Sequence, residues 1–206
     1  MTDKPSHTTA VLVTLTVAIC FGGCAEVKPV VFDKASLAKV HKLMIVPMQT
    51  SLDPSTGPII AEMAAERLQV QMAGSDDFAI LVAPSLWRLK PGTAPPTDRQ
   101  AVELARKTGA QAVLTGTVGY SVTLSDPKGL PTAAGKGVSF ARHFALRSGS
   151  GSIQLRMLRT EDGMTIYNHT ALAKTVPAKG RANDQALSEA LGRAMGPLEI
   201  YLKSQK

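Results

Sequence analysis

Apolar positions follow three different spacings along the chain. A continuous run of apolar residues and threonines fills positions 10–21. Beyond residue 40 the pattern changes to short buried-strand runs and helix-spaced stripes. `KLMIVPM`, 42–48, is an apolar run stopped by Pro47 and predicts a strand. Pro58 suits a first helical position. Ile59, Ile60, Met63, Ala64, Leu68 and Met72 then recur at three- and four-residue steps, predicting a helix to about Ala73 that Gly74 ends. `FAILV`, 78–82, predicts a second strand, and the Pro-rich stretch after it a loop with one helical turn at 85–89. Thr97 or Asp98 can cap a helix over 99–108 that Gly109 terminates. `AQAVLTGTV`, 110–118, predicts a third strand running on into `GYSVTL`.

Residues 125–137 are rich in Gly and Pro and predict a loop. `VSFARHFAL`, 138–146, alternates as a strand, with Arg142 on its apolar face, where a bulge, a snorkelling stem or a buried acid would have to accommodate it. `SGSGS`, 148–152, reads as a joint. Ile153, Leu155 and Met157 alternate into Asp162-Gly163, a hairpin-turn signal, with a return strand over 164–173. Leu187, Ala190, Leu191, Ala194, Leu198 and Tyr201 predict a last helix over 184–203, which Pro197 should kink or split. The order is β-α-β-α-β, then a meander and a terminal helix. It predicts an α/β (α+β) fold: a mixed sheet with helices packed on it.

The opening run is too short to span a membrane. A dozen helical residues reach roughly 18 Å, against a hydrocarbon core of ~30 Å, whereas a signal-peptide apolar region has this length. The chain's two cysteines, Cys20 and Cys24, lie at its end. Their spacing lacks the second ligand pair and the nearby His of a metal or redox site. `FGGC`, 21–24, resembles a bacterial lipobox, with Phe21 where the pattern prefers Leu. The resemblance implies that 1–23 is a cleaved leader and that Cys24 becomes the acylated first residue of the mature chain. Ala25 after it, rather than Asp, implies the periplasmic face of the outer membrane. Residues 24–40, with Pro29, scattered Lys and little periodicity, read as a tether, and 41–206 as one domain.

Charge alters this picture only modestly. The 206-residue chain carries a formal charge of +7, and from residue 138 onward ten Lys or Arg face five acids. Such a surplus attracts anionic lipid or an acidic partner. Nucleic acid is not expected of an exported chain without an aromatic-rich basic strand.

Several phrases resemble one superfamily of envelope lipoproteins, which includes CsgG, LpoB and the amino-terminal domain of TolB. They are `KLMIVPM`, `DDFAILV`, `ARKTGAQAVLTGTV` and `SIQLRMLRTEDGMTIYN`, with Tyr167 near a position that the superfamily fills with Trp. The resemblance covers about 42–203. It implies a non-catalytic lipoprotein that binds a protein partner in envelope assembly, such as a peptidoglycan synthase. The alternatives are a CsgG-like secretion-channel subunit and an envelope enzyme. The channel is disfavoured because 125–137 is short and Arg142 interrupts the one candidate membrane strand.

Candidate chemistry is sparse. `GLPTAAGKG` has five residues between Gly129 and Gly135, where a phosphate loop has four, and Gly137 where that loop has Ser or Thr. His143 and His169 fall on neighbouring predicted strands without a third ligand, and read with His41 as surface or loosely packed residues. Gly116 should let another backbone or ring approach the sheet. No cofactor, metal or catalytic residue is expected, and Cys24 is the single candidate modification site.

Overall fold

A computed structural model describes residues 29–51, 53–73, 78–82, 94–125, 146–175 and 182–205. Seven strands form one mixed sheet: β1 (Val31–Phe32), β2 (Lys42–Ile45), β3 (Gln49–Thr50), β4 (Ala79–Val82), β5 (Ala112–Ser125), β6 (Leu146–Arg159) and β7 (Thr165–Thr175). The helices are α1 (Lys34–Leu37), α2 (Thr56–Met72), α3 (Asp98–Lys107) and α4 (Ala182–Lys203). The strand order is β1-β7-β6-β5-β2-β4, with β3 also paired to β5. The pairs β2–β4, β2–β5 and β3–β5 are parallel, and β5–β6, β6–β7 and β1–β7 are antiparallel. The expected mixed sheet with a terminal helix packed on it is the observed architecture.

The continuous apolar run of β2 follows from burial on both sides. Leu43 and Ile45 point into the main core with α2 and α4, while Met44 and Val46 point into a smaller core under α3. Successive strand side chains alternate between faces, so only a strand covered on both needs apolar residues throughout. Thr97 caps α3 in a capping box with Gln100. Gly109 leaves that helix at φ +71°, and the Lys42 ammonium donates to the Thr108 carbonyl at 2.7 Å, satisfying a helix C-terminal oxygen. α2 begins at Thr56, two residues before Pro58, and Ser55 precedes it without a side-chain cap.

Three expectations are corrected. The supposed tether folds from Val31 onward: β1 pairs with β7, and Leu37 and Val40 are buried. `SGSGS` is not a joint but part of β6, paired to β5 and β7 along Gly149–Ser152. Its glycines are there for clearance, since a Cβ at Gly151 would lie 3.0 Å from the Ala186 backbone of α4, and one at Gly149 2.2 Å from the Tyr120 hydroxyl. The β6–β7 hairpin turns at Asp162-Gly163, as expected. Gly163 alone takes positive φ, +74°, and its N–H donates to the Arg159 carbonyl at 2.9 Å. Asp162 holds this turn through Arg159 and the Met164 N–H. The Arg159 hydrogen bond, followed by that of Met164, lowers its carboxyl pKa to about 2. A bulge at Met157/Leu158 opposite lets Ile166 and Tyr167 both face the main core.

The third concerns Pro197, which lies inside α4 without splitting off its final turn. Proline removes the N–H that would serve the Arg193 carbonyl. Beside it the Tyr167 hydroxyl donates to the Ala194 carbonyl at 2.5 Å. A side chain from the sheet is thereby bonded to the helix one residue from the carbonyl that Pro197 leaves without its N–H. Burial, and then neighbouring Glu199, push the Tyr167 phenol above its ordinary range. Arg67 of α2 locks the same helix by donating to Glu199 at 2.8 and 3.2 Å.

Candidate docking face

The long antiparallel half of the sheet has two unlike faces. Ile153, Leu155 and Met157 of β6 are buried under α4, so Ser152, Gln154 and Arg156 point to the other side. Register extends that face across three strands. Thr117 of β5 lies beside Gln154, and Gln154 beside Thr170 of β7. Further along, Ser121 lies beside Ser150, their hydroxyls 2.6 Å apart. α3 packs on β5 and β6 and closes the lower end, where Arg156 donates to Asp98 at 2.6 and 2.9 Å. Both partners are partly exposed, so this pair positions the helix start more than it stabilises the fold. Above it the face shows hydroxyls and amides: Thr170 is exposed, Thr117, Ser152 and Gln154 half-buried, with exposed Leu172 and Lys174, two and four positions on along β7, at its outer margin. Gln154 donates to Asn168 at 3.1 Å. No helix among the described residues covers this part.

Such a face can form many neutral hydrogen bonds with little charge to desolvate. Among the described residues it carries no nucleophile beside a general base. Among the described residues no group of three His, Cys, Asp or Glu is placed to hold a metal ion. His169, expected to be a surface or loose histidine, is 4% exposed. It lies on the opposite face, its Nδ1 3.1 Å from the Ala194 carbonyl and 3.4 Å from the Tyr167 hydroxyl. Nδ1 faces an acceptor and so carries the proton in this arrangement. Nε2 is buried without a partner among the described residues. His41 is exposed. Cys24, His143, Arg142, the helical turn at 85–89, Gly74 and the loop 126–137 lie outside the described residues. The two faces could have been separated in the sequence by alternation: Tyr167, His169, Ala171 and Ala173 fall at every second position, as do Ser150, Ser152 and Gln154. No helix among the described residues is long and apolar enough to cross a membrane.

No family model matches the chain, and no curated protein matches it. Solved structures similar to it include the PelC dodecamer from Paraburkholderia phytofirmans, at 16% identity over 78% of this chain and 88% of that one, with a TM-score of 0.47. Lipoprotein GNA1162 from Neisseria meningitidis is 14% identical over 77% and 98% of the two chains, TM-score 0.46. The LpoB C-terminal domain from Escherichia coli is 15% identical over 70% and 96%, TM-score 0.37. At such identities the function has to be argued from this chain's own residues.

Proposed function

We propose that this chain is a lipid-anchored, non-catalytic protein of the cell envelope, facing the periplasm from the outer membrane, and that its open sheet face docks a protein partner. The observation that carries the reading is the contrast between the two sides of β5, β6 and β7. One is sealed by α4 with apolar residues, the other left uncovered with neutral hydrogen-bonding side chains. The short leader ending in `FGGC` supplies the cellular setting. The resemblance of 42–203 to the CsgG, LpoB and TolB superfamily supports an adaptor role in envelope assembly. Acyl chains on Cys24 contribute ~0.8 kcal/mol per buried CH2, so more than one chain gives stable attachment without a spanning helix.

The anchor is tested by labelling growing cells with palmitate. The wild-type chain is expected to incorporate label and fractionate with outer membranes. Cys24→Ala is expected to lose the label and accumulate unprocessed. An unlabelled wild-type chain, or a variant processed and fractionated as before, would overturn the anchor.

A further inference from the structure

We infer that the side of the domain at the β1–β7 edge rests on an anionic phospholipid surface. The inference rests on the proposed acylation of Cys24. Pro29 is the first described residue, and the Val30 N–H donates to Asn168 of β7 at 2.8 Å. Four residues, 25–28, and so five Cα–Cα steps, separate the acylated position from Pro29. At no more than ~3.6 Å per residue they reach roughly 18 Å. The edge where the chain enters the fold is therefore held close to the bilayer.

That edge has a composition suited to a lipid headgroup layer. Three of the six exposed large apolar side chains among the described residues lie on it: Val30 (77% exposed), Leu172 (63%) and Ile200 (64%). Contacts place them along one side of the domain. The Tyr201 hydroxyl donates to the Lys34 carbonyl at 3.0 Å, and the Tyr201 ring meets Phe32 of β1 edge-on at 5.6 Å. Arg193, seven residues and nearly two turns before Ile200 on α4, donates to the Leu172 carbonyl at 2.9 Å. Lys34, Lys174 and Lys203 are exposed among these apolar groups, with no carboxylate partner among the described residues. The nearby acids are engaged elsewhere: Glu189 pairs with Arg193, and Asp33 with Ser36, with Arg159 beside it. Apolar side chains flanked by such lysines gain from both the acyl boundary and the negative surface, each lysine contributing about 1 kcal/mol near such a membrane, a factor of about five in binding.

The test uses the mature acylated protein, purified from cells and reconstituted on vesicles. An environment-sensitive dye is attached at Ile200→Cys, or at Val70→Cys on the outer face of α2, and quenched by aqueous iodide. On vesicles containing phosphatidylglycerol the dye at 200 is expected to be several-fold less quenched than on phosphatidylcholine alone, while the dye at 70 is unchanged. Lys174→Glu with Lys203→Glu should abolish the protection. Arg99→Glu with Lys107→Glu on α3, an equal change of charge, should preserve it. If the protein sediments with vesicles but the two dyes quench alike, the surface is wrong and the anchor stands. If it does not sediment with vesicles and carries no acyl mass, the anchor reading fails. Protection at both positions would also overturn the surface, since it would mark burial in a protein assembly.

Discussion

Replacing Gly116 with alanine is expected to destabilise the domain by about 3 kcal/mol, the upper range for forcing an extra carbon into a packed interior. Gly116 lies in the middle of β5, opposite Leu155 of β6. A Cβ there would sit 2.2 Å from the Gln154 carbonyl oxygen and 3.4 Å from a Leu155 methyl. The first obstacle is backbone, so no rotamer change relieves it. One strand must move, and β5–β6 is the longest pairing in the sheet. Chemical denaturation read by far-ultraviolet circular dichroism checks this through the transition midpoint at constant slope. Gly163→Ala is the comparison. Its Cβ would meet nothing within 4 Å, so only the +74° φ opposes it. Its loss should be nearer 1 kcal/mol. Equal midpoints for the two variants would contradict the close approach of β6 to Gly116.

The second large effect is expected at Tyr167. Tyr167→Phe keeps the ring and removes the hydroxyl, leaving the Ala194 carbonyl with His169 as its remaining side-chain donor. A loss of about 2 kcal/mol is expected. Tyr167→Ala also removes the ring that packs edge-on to Phe32 at 5.7 Å, and a loss of about 4 kcal/mol is expected. A double variant separates packing from helix repair. If the hydroxyl compensates for the proline, Pro197→Ala restores an N–H to α4 and should lessen the cost of Tyr167→Phe. Strict additivity would show that the Tyr167 hydroxyl acts independently of Pro197.

These two sites show which parts of the fold are legible in the sequence. The helix stop at Gly109, the Thr97 cap and the apolar run of β2 are local signals, and each maps onto the structure near the expected position. Gly116 is legible as a close approach because a glycine inside a strongly apolar strand forgoes side-chain packing, a loss that a tightly apposed neighbour offsets. The glycines at 149 and 151 have the same cause, clearance, but in a serine-rich context that also describes a linker. The neighbours that require them, Tyr120 and Ala186, are 29 and 35 residues away in sequence. β1 and α1 escape a sequence reading because two and four residues carry no measurable period. Pro197 reads as a kink or a split because the contacts that hold α4 around it, Tyr167 to Ala194 and Arg67 to Glu199, come from β7 and α2, which no window along α4 contains. The docking face is hidden for a related reason. Its side chains come from three strands, and only the register brings Thr117, Gln154 and Thr170 into one row.

The reach of 24–28 and the open sheet face have a joint consequence. With the β1–β7 edge toward the bilayer, the face bearing Gln154 and Thr170 stands on the flank of the domain, accessible from the periplasm beside the membrane. A partner docked there would be held near the lipid surface without needing its own anchor. The alternative, a channel subunit, would instead place neighbouring copies of this chain on the flanks.

The central claim is tested most directly by a photo-crosslinking amino acid at Thr170, introduced into the acylated chain in intact cells and compared with the same group at Glu66 on the outer side of α2. The account predicts a single discrete adduct from position 170, with an envelope protein other than this chain as the captured partner by mass spectrometry, and none from position 66. Adducts only between copies of this chain, or equal capture from both positions, would contradict it.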